Sequence, residues 1–490
     1  MTISTNTTDN NSTAILTIVS TGVFMCTMDS SMINVALPVI MKSFHSPFAL
    51  TEWVVLIYLM TITNLLLVWG NLADRWSRTG FYSTGMLIFT GGSLLCAISL
   101  NIYFLIFSRL IQALGASMMM ATGPALIKFA FPSGKLGRGL GMVGVATSLG
   151  LMSGPLISGQ LLRWTHWRAI FFITVPVGLF FYFYGKKHLA RLKRELQPLR
   201  SSRPGSSAEH HPFDTKGALL WGCSVTLALF TATHATALVH STNNGIDRIV
   251  LIAGALAMGI CASFLFSHEK SHPAPLIPIS LLKRRFFSMA VLSAMLSFTV
   301  LFSVLIIMPF FLSRILELPT DKIGYVMMAL PASVFCVSPL AGKIHDHTGE
   351  YLVAACGLFC CLVSILLLSR ISMTTPILSI AGYLALLGFG QAMFLSPNSA
   401  ATLSGVPNKK AGIASSTLAT ARNLGMLLGT AVTGLIFTYF FSNLTGGLDM
   451  RDASPLHTEA FISAMHYTLQ TIALFAGLAL LASTLRGRNR

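Results

Sequence analysis

Charge is scarce in this sequence. Of 490 residues only 10% are Asp, Glu, Lys or Arg, where a soluble globular domain carries about 25%. Acids are scarcest: 16 Asp and Glu against 33 Lys and Arg. Clustered His, Asp or Glu of the kind an enzyme active site requires is missing, and the His residues are scattered along the chain. The sequence has no Gly-rich loop ending in Lys-Ser or Lys-Thr to cradle a nucleotide phosphate, so ATP-driven work is excluded. It also has no connecting segment longer than about 30 residues in which a separate soluble sensor or scaffold domain could be built. The eight cysteines all lie in apolar runs without zinc-like spacing to His; they read as small buried hydrophobes, and neither a metal nor a cofactor is expected. The first 13 residues are polar and lack a basic stretch, so no cleaved leader is expected.

What fills the chain is apolar sequence, 53% of it. Runs of 18 or more such residues recur from end to end, each long enough to cross a hydrocarbon core of about 30 Å. Only helices or closed barrels satisfy their backbone there. The runs do not alternate as barrel strands do, so helices are predicted. Fourteen candidate spans are expected at about 15–37, 50–70, 80–99, 103–125, 139–161, 168–186, 216–238, 248–267, 287–312, 323–342, 351–369, 377–401, 411–440 and 459–483. The net charge of +17 would favour nucleic acid in a soluble chain. Here no nucleic-acid motif is visible, and the positions of the charges decide. With the N-terminus in the cytoplasm, 23 Lys and Arg fall on cytoplasmic segments and 8 on the other face, with Arg109 and Arg422 inside spans. That bias predicts both termini in the cytoplasm.

Two linkers, 187–213 and 268–286, divide the chain. The first is basic and then rich in Ser, Pro and His. Six spans precede them (1–186), six follow (287–490), and two lie between (214–267). The segment Gly70-Asn71-Leu72-Ala73-Asp74-Arg75 after span 2 and Gly342-Lys343-Ile344-His345-Asp346 after span 10 share Gly-x-x-x-Asp at equivalent places. The expected fold is an all-α polytopic membrane protein: two pseudo-symmetric six-helix bundles plus two additional transmembrane helices. Such repeats are typical of secondary transporters, with the substrate near the midplane between them.

Several motifs carry a family resemblance. They are Met28-Asp29-Ser30-Ser31-Met32-Ile33-Asn34-Val35-Ala36-Leu37-Pro38 in span 1, Thr51-Glu52-Trp53-Val54-Val55-Leu56-Ile57-Tyr58 at span 2, and Gly70 to Arg78. Further along stand Arg109-Leu110-Ile111-Gln112-Ala113-Leu114-Gly115, Gly150-Leu151-Met152-Ser153-Gly154-Pro155-Leu156-Ile157-Ser158-Gly159 and Trp167-Arg168-Ala169-Ile170-Phe171-Phe172. Together they resemble the major facilitator superfamily, in particular its fourteen-span drug:proton antiporters. Departures from the pattern are Glu52 for a more usual Gln, and Ser77, Ala113 and Ser158 for Gly.

Individual residues then take expected roles. Asp29 is an acid inside an apolar helix, where charge is expensive unless paired or wet, so it is the candidate proton-binding group. The resemblance implies that Arg109 faces the central cavity and biases Asp29 toward its charged form. It also implies that Gly70, Asp74, Arg75 and Arg78, with Asp346 in the second half, act as a conformational latch. Gly150, Gly154, Pro155 and Gly159 form a small-residue stripe for close helix approach, with a proline bend; the resemblance associates it with antiport. Asn34, Glu52, Tyr58, Gln112 and Arg422 are further cavity or coupling candidates, Glu52 alternatively serving a helix N-terminus. The expected activity is proton-coupled efflux of small lipophilic or cationic compounds from a bacterial-type inner membrane. A dedicated carrier of one metabolite on the same scaffold is the alternative. The expected partners are a small-molecule substrate, protons and the lipid bilayer, with no nucleic acid, and the chain is expected to work as a monomer.

Overall fold

The structure is a computed structural model. It describes the chain except residues 1–2, 76, 132–135, 202–213, 241–244, 273–278, 349, 405, 407–410 and 487–490. The described residues form helices and no strand: α1 (Ile3–Phe44), α2 (Phe48–Arg75), α3 (Arg78–Ala97), α4 (Ile102–Ala130), α5 (Leu136–Trp164), α6 (Ala169–Phe172), α7 (Thr174–Ser201), α8 (Thr215–His240), α9 (Gly245–Ser271), α10 (Ile279–Leu282), α11 (Arg285–Arg314), α12 (Thr320–Thr348), α13 (Glu350–Leu368), α14 (Ile377–Ser404), α15 (Ala411–Thr445) and α16 (Thr458–Leu485). Polar residues punctuate the apolar runs. Ser77 caps α3 by accepting from the Gly80 N–H, and Asn101 caps α4 by accepting from Phe104, which satisfies donors the helix itself leaves open.

Among the described residues, twelve helical stretches are long and apolar enough to cross a membrane, and the apolar part of α13, Leu352–Leu368, is a shorter one. Helix α7 runs through the basic stretch to Ser201, and α9 runs to Ser271; both stretches are rich in Lys, Arg, Leu and Glu, which are good helix formers. The sixth apolar run is split in two, a short turn α6 and then α7, with Pro176 in the first turn of α7, where its missing N–H costs nothing.

The packing is duplicated. In the first half α1 packs on α5 and α7, α3 on α4 and α7, and α2 on α4. In the second half α11 packs on α15 and α16, α13 on α14 and α16, and α12 on α14. Apart from glycine, the two described residues with positive φ, His45 (49°) and Glu317 (48°), stand in the turns after α1 and α11. A left-handed residue therefore follows the first helix of each half. Helix α8 packs on α9 and touches α2 and α15. Asn64 donates to Thr226 Oγ1 at 3.2 Å and Trp221 donates to the Thr63 carbonyl at 3.3 Å. The additional hairpin is thus seated on both halves through α8, while α9 lies outermost.

The halves meet where α5 crosses α12 and α2 crosses α15. Gly159 lies against the Thr320 carbonyl and Gly324, so closely that a Cβ would overlap the backbone. Arg163 pairs with Asp321, Gln160 donates to the Tyr325 hydroxyl at 2.9 Å, and Phe48 meets Phe310 and Phe437 edge-on. These contacts seal one end of the bundle.

Candidate functional site

Asp29 of α1 and Arg109 of α4 meet inside the first half. Arg109 Nη1 donates to Asp29 Oδ2 at 2.5 Å and to Gln112 Oε1 at 2.6 Å. Gln112 Nε2 donates to Asp29 Oδ1 at 2.9 Å and to Ser93 Oγ at 2.8 Å. Arg109 and Gln112 share a helix face because they are three residues apart, so one turn of α4 presents both a cation and an amide to a single carboxylate. All four side chains are buried. A charge so placed needs its partner, since a lone buried ion is far more costly than a paired one. Arg109 Nε donates to the Val54 carbonyl at 3.2 Å, and the guanidinium lies 4.2 Å from the centre of the Tyr58 ring.

Next to this cluster is a cavity of about 300 Å³ between the halves. Its walls are largely apolar: Met120, Phe298, Phe302 and Met426 among others, with Ser30, Ser31, Gln391 and Asn423 supplying polar atoms. Tyr58 lines it; Asp29 and Arg109 do not. The ion pair therefore stands behind Tyr58, out of direct reach of a molecule in the cavity. Arg422 of α15 does line it. Its Nη2 donates to Ser399 Oγ at 2.5 Å, its Nε has no hydrogen-bond partner, and no carboxylate stands among the cavity residues. Arg422, for which the sequence left an acid partner or escape to the surface open, is a half-buried cation facing the cavity.

Pro155 removes the N–H that would otherwise bond the Leu151 carbonyl four residues earlier. Ser31 Oγ supplies the missing donor at 2.9 Å, and Ser158 Oγ donates back to the Met32 carbonyl at 3.0 Å. The small-residue stripe splits its contacts. Gly150 and Gly154 lie against α1, and Gly159 lies against α12, so α5 packs tightly on its own half and on the other half at once.

Glu52 is buried near the start of α2, with its carboxylate over Gly434 of α15 and Oε1 without a hydrogen-bond partner. It belongs to the sealed end, apart from the cavity. Asn34 is buried with its Oδ1 unpartnered and does not reach Asp29. Gly70 has open space beside it, and Arg78 lies 4.6 Å from the Phe129 ring centre. The side chains of Asp74, Arg75 and Asp346 lie outside the described residues. Three cysteines, Cys223, Cys336 and Cys356, are exposed on helix surfaces rather than buried; an apolar helix face turned outward suits them equally in a bilayer.

Sequence reasoning missed Ser93, which completes the polar cluster, and the Arg163–Asp321 pair at the seal. An acid in the first turn of α12, opposite an Arg on the loop side of another span, was the available signal. No sequence pattern pairs residues 158 positions apart.

A bundle of membrane-length helices with duplicated packing around a largely apolar cavity is the architecture of a multi-pass membrane transporter. The chain belongs to the Major Facilitator Superfamily, whose family model matches residues 19–430. It is 31% identical to the riboflavin transporter RibZ of Clostridioides difficile, over 97% of this chain and 98% of that protein. It is 28% identical to the multidrug resistance protein Stp of Mycobacterium tuberculosis, over 88% of this chain and 77% of that protein. Its fold is similar to the inward-facing, occupied crystal structure of a bacterial homologue of the human lysosomal transporter Spinster. That match has a TM-score of 0.64 at 15% identity and covers 97% of both chains.

Proposed function

We propose that this protein is a proton-coupled antiporter that exports small, largely apolar molecules by alternating access across a bacterial inner membrane. In this reading the chain crosses the membrane fourteen times, both termini are cytoplasmic, and one chain suffices. The observation that carries the reading is the Asp29–Arg109–Gln112 cluster, buried beside the cavity but separated from it by Tyr58. When Asp29 takes a proton it no longer attracts Arg109, and the guanidinium is free to shift against Tyr58. Proton binding then reshapes the cavity wall without the proton and the substrate sharing a ligand. The sealed end, with Arg163–Asp321 and Glu52, is the outer gate, and the positive-inside distribution supports that orientation. Glu52 is placed to take a proton when that gate opens. The latch role of Gly70, Asp74, Arg75, Arg78 and Asp346 is part of the same proposal.

A second reading, a dedicated carrier of one metabolite, is favoured by Arg422. A cavity holding an unpaired guanidinium Nε and no carboxylate repels lipophilic cations and favours neutral or anionic molecules rich in acceptors. The riboflavin transporter matched along nearly its whole length supports a planar substrate of that kind. The substrates expected under both readings are therefore planar, mostly apolar molecules carrying carbonyl or anionic groups.

The test is substrate-triggered proton movement in proteoliposomes bearing an imposed pH gradient. The panel is riboflavin, neutral planar drugs, organic anions and lipophilic cations. Dissipation of the gradient that disappears in Asp29→Asn supports the antiporter. A response to riboflavin alone supports the dedicated carrier. Transport against a gradient that persists in Asp29→Asn overturns the coupling role.

A further inference from the structure

The two additional helices end in a cluster that transport does not use. Asp214 precedes α8 and caps it: its Oδ1 accepts from the Gly217 N–H at 2.8 Å. The same oxygen accepts from His268 Nε2 at 2.7 Å, at the end of α9. His272 follows one helical turn later, its N–H still bonded to the His268 carbonyl at 3.0 Å. The spacing His268-Glu269-Lys270-Ser271-His272 puts both imidazoles on one face, with their ring centres 5.2 Å apart. The ligand atoms of Asp214, His268 and His272 lie within 4.8 Å of one another. Glu269 is buried beside them, and its Oε1 and Asp214 Oδ2 both lie against the Cα of Gly217.

This arrangement is more than a capped helix. Asp214 is 5% exposed, and its Oδ2 has no hydrogen-bond partner. His272 Nδ1 is 3.8 Å away, beyond hydrogen-bond reach. A buried carboxylate oxygen thus lies close to an imidazole without bonding it. Two imidazoles and a carboxylate are a donor set for a borderline divalent metal. Bonds of about 2.0–2.2 Å in tetrahedral geometry would set the three ligand atoms about 3.4 Å apart, inside the span from the 2.7 Å His268–Asp214 bond to the 4.8 Å limit.

We propose that Asp214, His268 and His272, with Glu269 beside them, bind a divalent transition metal of the zinc type, which clamps the ends of α8 and α9 where both linkers join the hairpin. The metal replaces the His268–Asp214 hydrogen bond with two coordinate bonds and gives Asp214 Oδ2 its partner. Ligation needs neutral imidazoles and an ionised carboxylate.

The test uses the full-length protein in detergent, without a polyhistidine tag and stripped with chelator, titrated with zinc chloride by calorimetry and thermal unfolding. One tight equivalent is expected, with a melting temperature that rises with zinc. Both features are lost in His268→Ala/His272→Ala. The variant Asp214→Asn keeps the cap but removes the anionic ligand, and it should bind at least about tenfold more weakly. Cobalt substitution should give the absorption of a tetrahedral site in the wild type alone. Equal zinc stoichiometry and affinity in wild type and both variants, or no binding at all, overturns the proposal. Metal content and melting temperature are read without transport, so failure here leaves the transport reading intact.

Discussion

The two halves tie equivalent helices together with different chemistry. In the first, Gln112 of α4 holds Asp29 of α1. In the second, Gln391 of α14 donates to the Ser297 carbonyl of α11 at 2.8 Å and accepts from its hydroxyl at 2.9 Å. The glutamine link is repeated; the charge is not. Ser297 stands where an acid would be, and no arginine joins it. The second half's own cation, Arg422, is half-buried on α15 and faces the cavity. The division that follows is that the first half keeps an ion pair whose charge can be switched by one proton, and the second half keeps an unswitched cation turned toward whatever enters.

The largest expected effect tests that division through stability. Arg109→Ala strands a buried carboxylate and should cost about 3–5 kcal/mol, read as thermal unfolding of the purified protein. Arg422→Ala removes a cation that no acid needs. It loses the Ser399 bond and the contact with Phe298 but relieves a partly buried charge, so the expected change is within about 1 kcal/mol. Combining Asp29→Asn with Arg109→Gln should recover most of the loss of either neutralisation alone. Equal costs for the two arginines would erase the contrast between the halves.

The next effect concerns substrate. Arg422→Gln keeps the size of the side chain and removes its charge. A hydrogen bond to a charged group is worth about 1.5–3 kcal/mol, so the affinity for anionic or carbonyl-rich substrates should fall about 10- to 150-fold. Lipophilic cations should bind the variant better than the wild type. Fluorescence quenching by a panel of both charge types measures this, and a uniform change across the panel would show that Arg422 does not read charge.

Much of this was legible in the sequence because a bilayer penalises charge so heavily. Asp29, Arg109 and Arg422 stand out in apolar runs; the first two prove buried and Arg422 half-buried against the cavity. That Asp29 and Arg109 meet was not legible, since 80 residues separate them and only the packing of α1 on α4 brings them together. Nor was the screen between them and the cavity, because a tyrosine in an apolar helix reads the same whether it faces lipid, a cavity or a guanidinium. The function of Ser31 was hidden for another reason: a hydroxyl next to an acid looks like a ligand, and only the register of α1 against α5 shows that it serves the Leu151 carbonyl. The pair His268 and His272 was visible as a helical spacing, but it falls at the edge of a polar linker, and its Asp214 partner lies across the hairpin.

Ser31 gives a smaller test of how α5 is held. Ser31→Ala leaves the Leu151 carbonyl without a donor and should cost about 0.5–1.5 kcal/mol. With Pro155→Ala the helix regains its own N–H for that carbonyl, so the same serine change should then cost close to nothing. A cycle of the two variants by thermal unfolding measures the coupling, and additive costs would show that the hydroxyl does not compensate the proline.

The smallest effect belongs to the seal. Arg163 is about half exposed and its partner Asp321 is largely buried, and pairs of this partly screened kind contribute about 0.2–1 kcal/mol. That is too little to matter for folding and enough to matter for an equilibrium between two conformations, because 1 kcal/mol shifts a population ratio roughly fivefold. The pair exists only when the halves touch at this end, so it acts on one conformation alone. Asp321→Asn should therefore leave the melting temperature nearly unchanged while raising the fraction of molecules open at the seal by about two- to fivefold. Distance distributions between spin labels at Trp164 and Lys322 read that fraction directly. If the distribution does not move, the seal rests on Gly159, Gly324 and the Phe48 contacts alone, and its opening is governed by packing rather than charge.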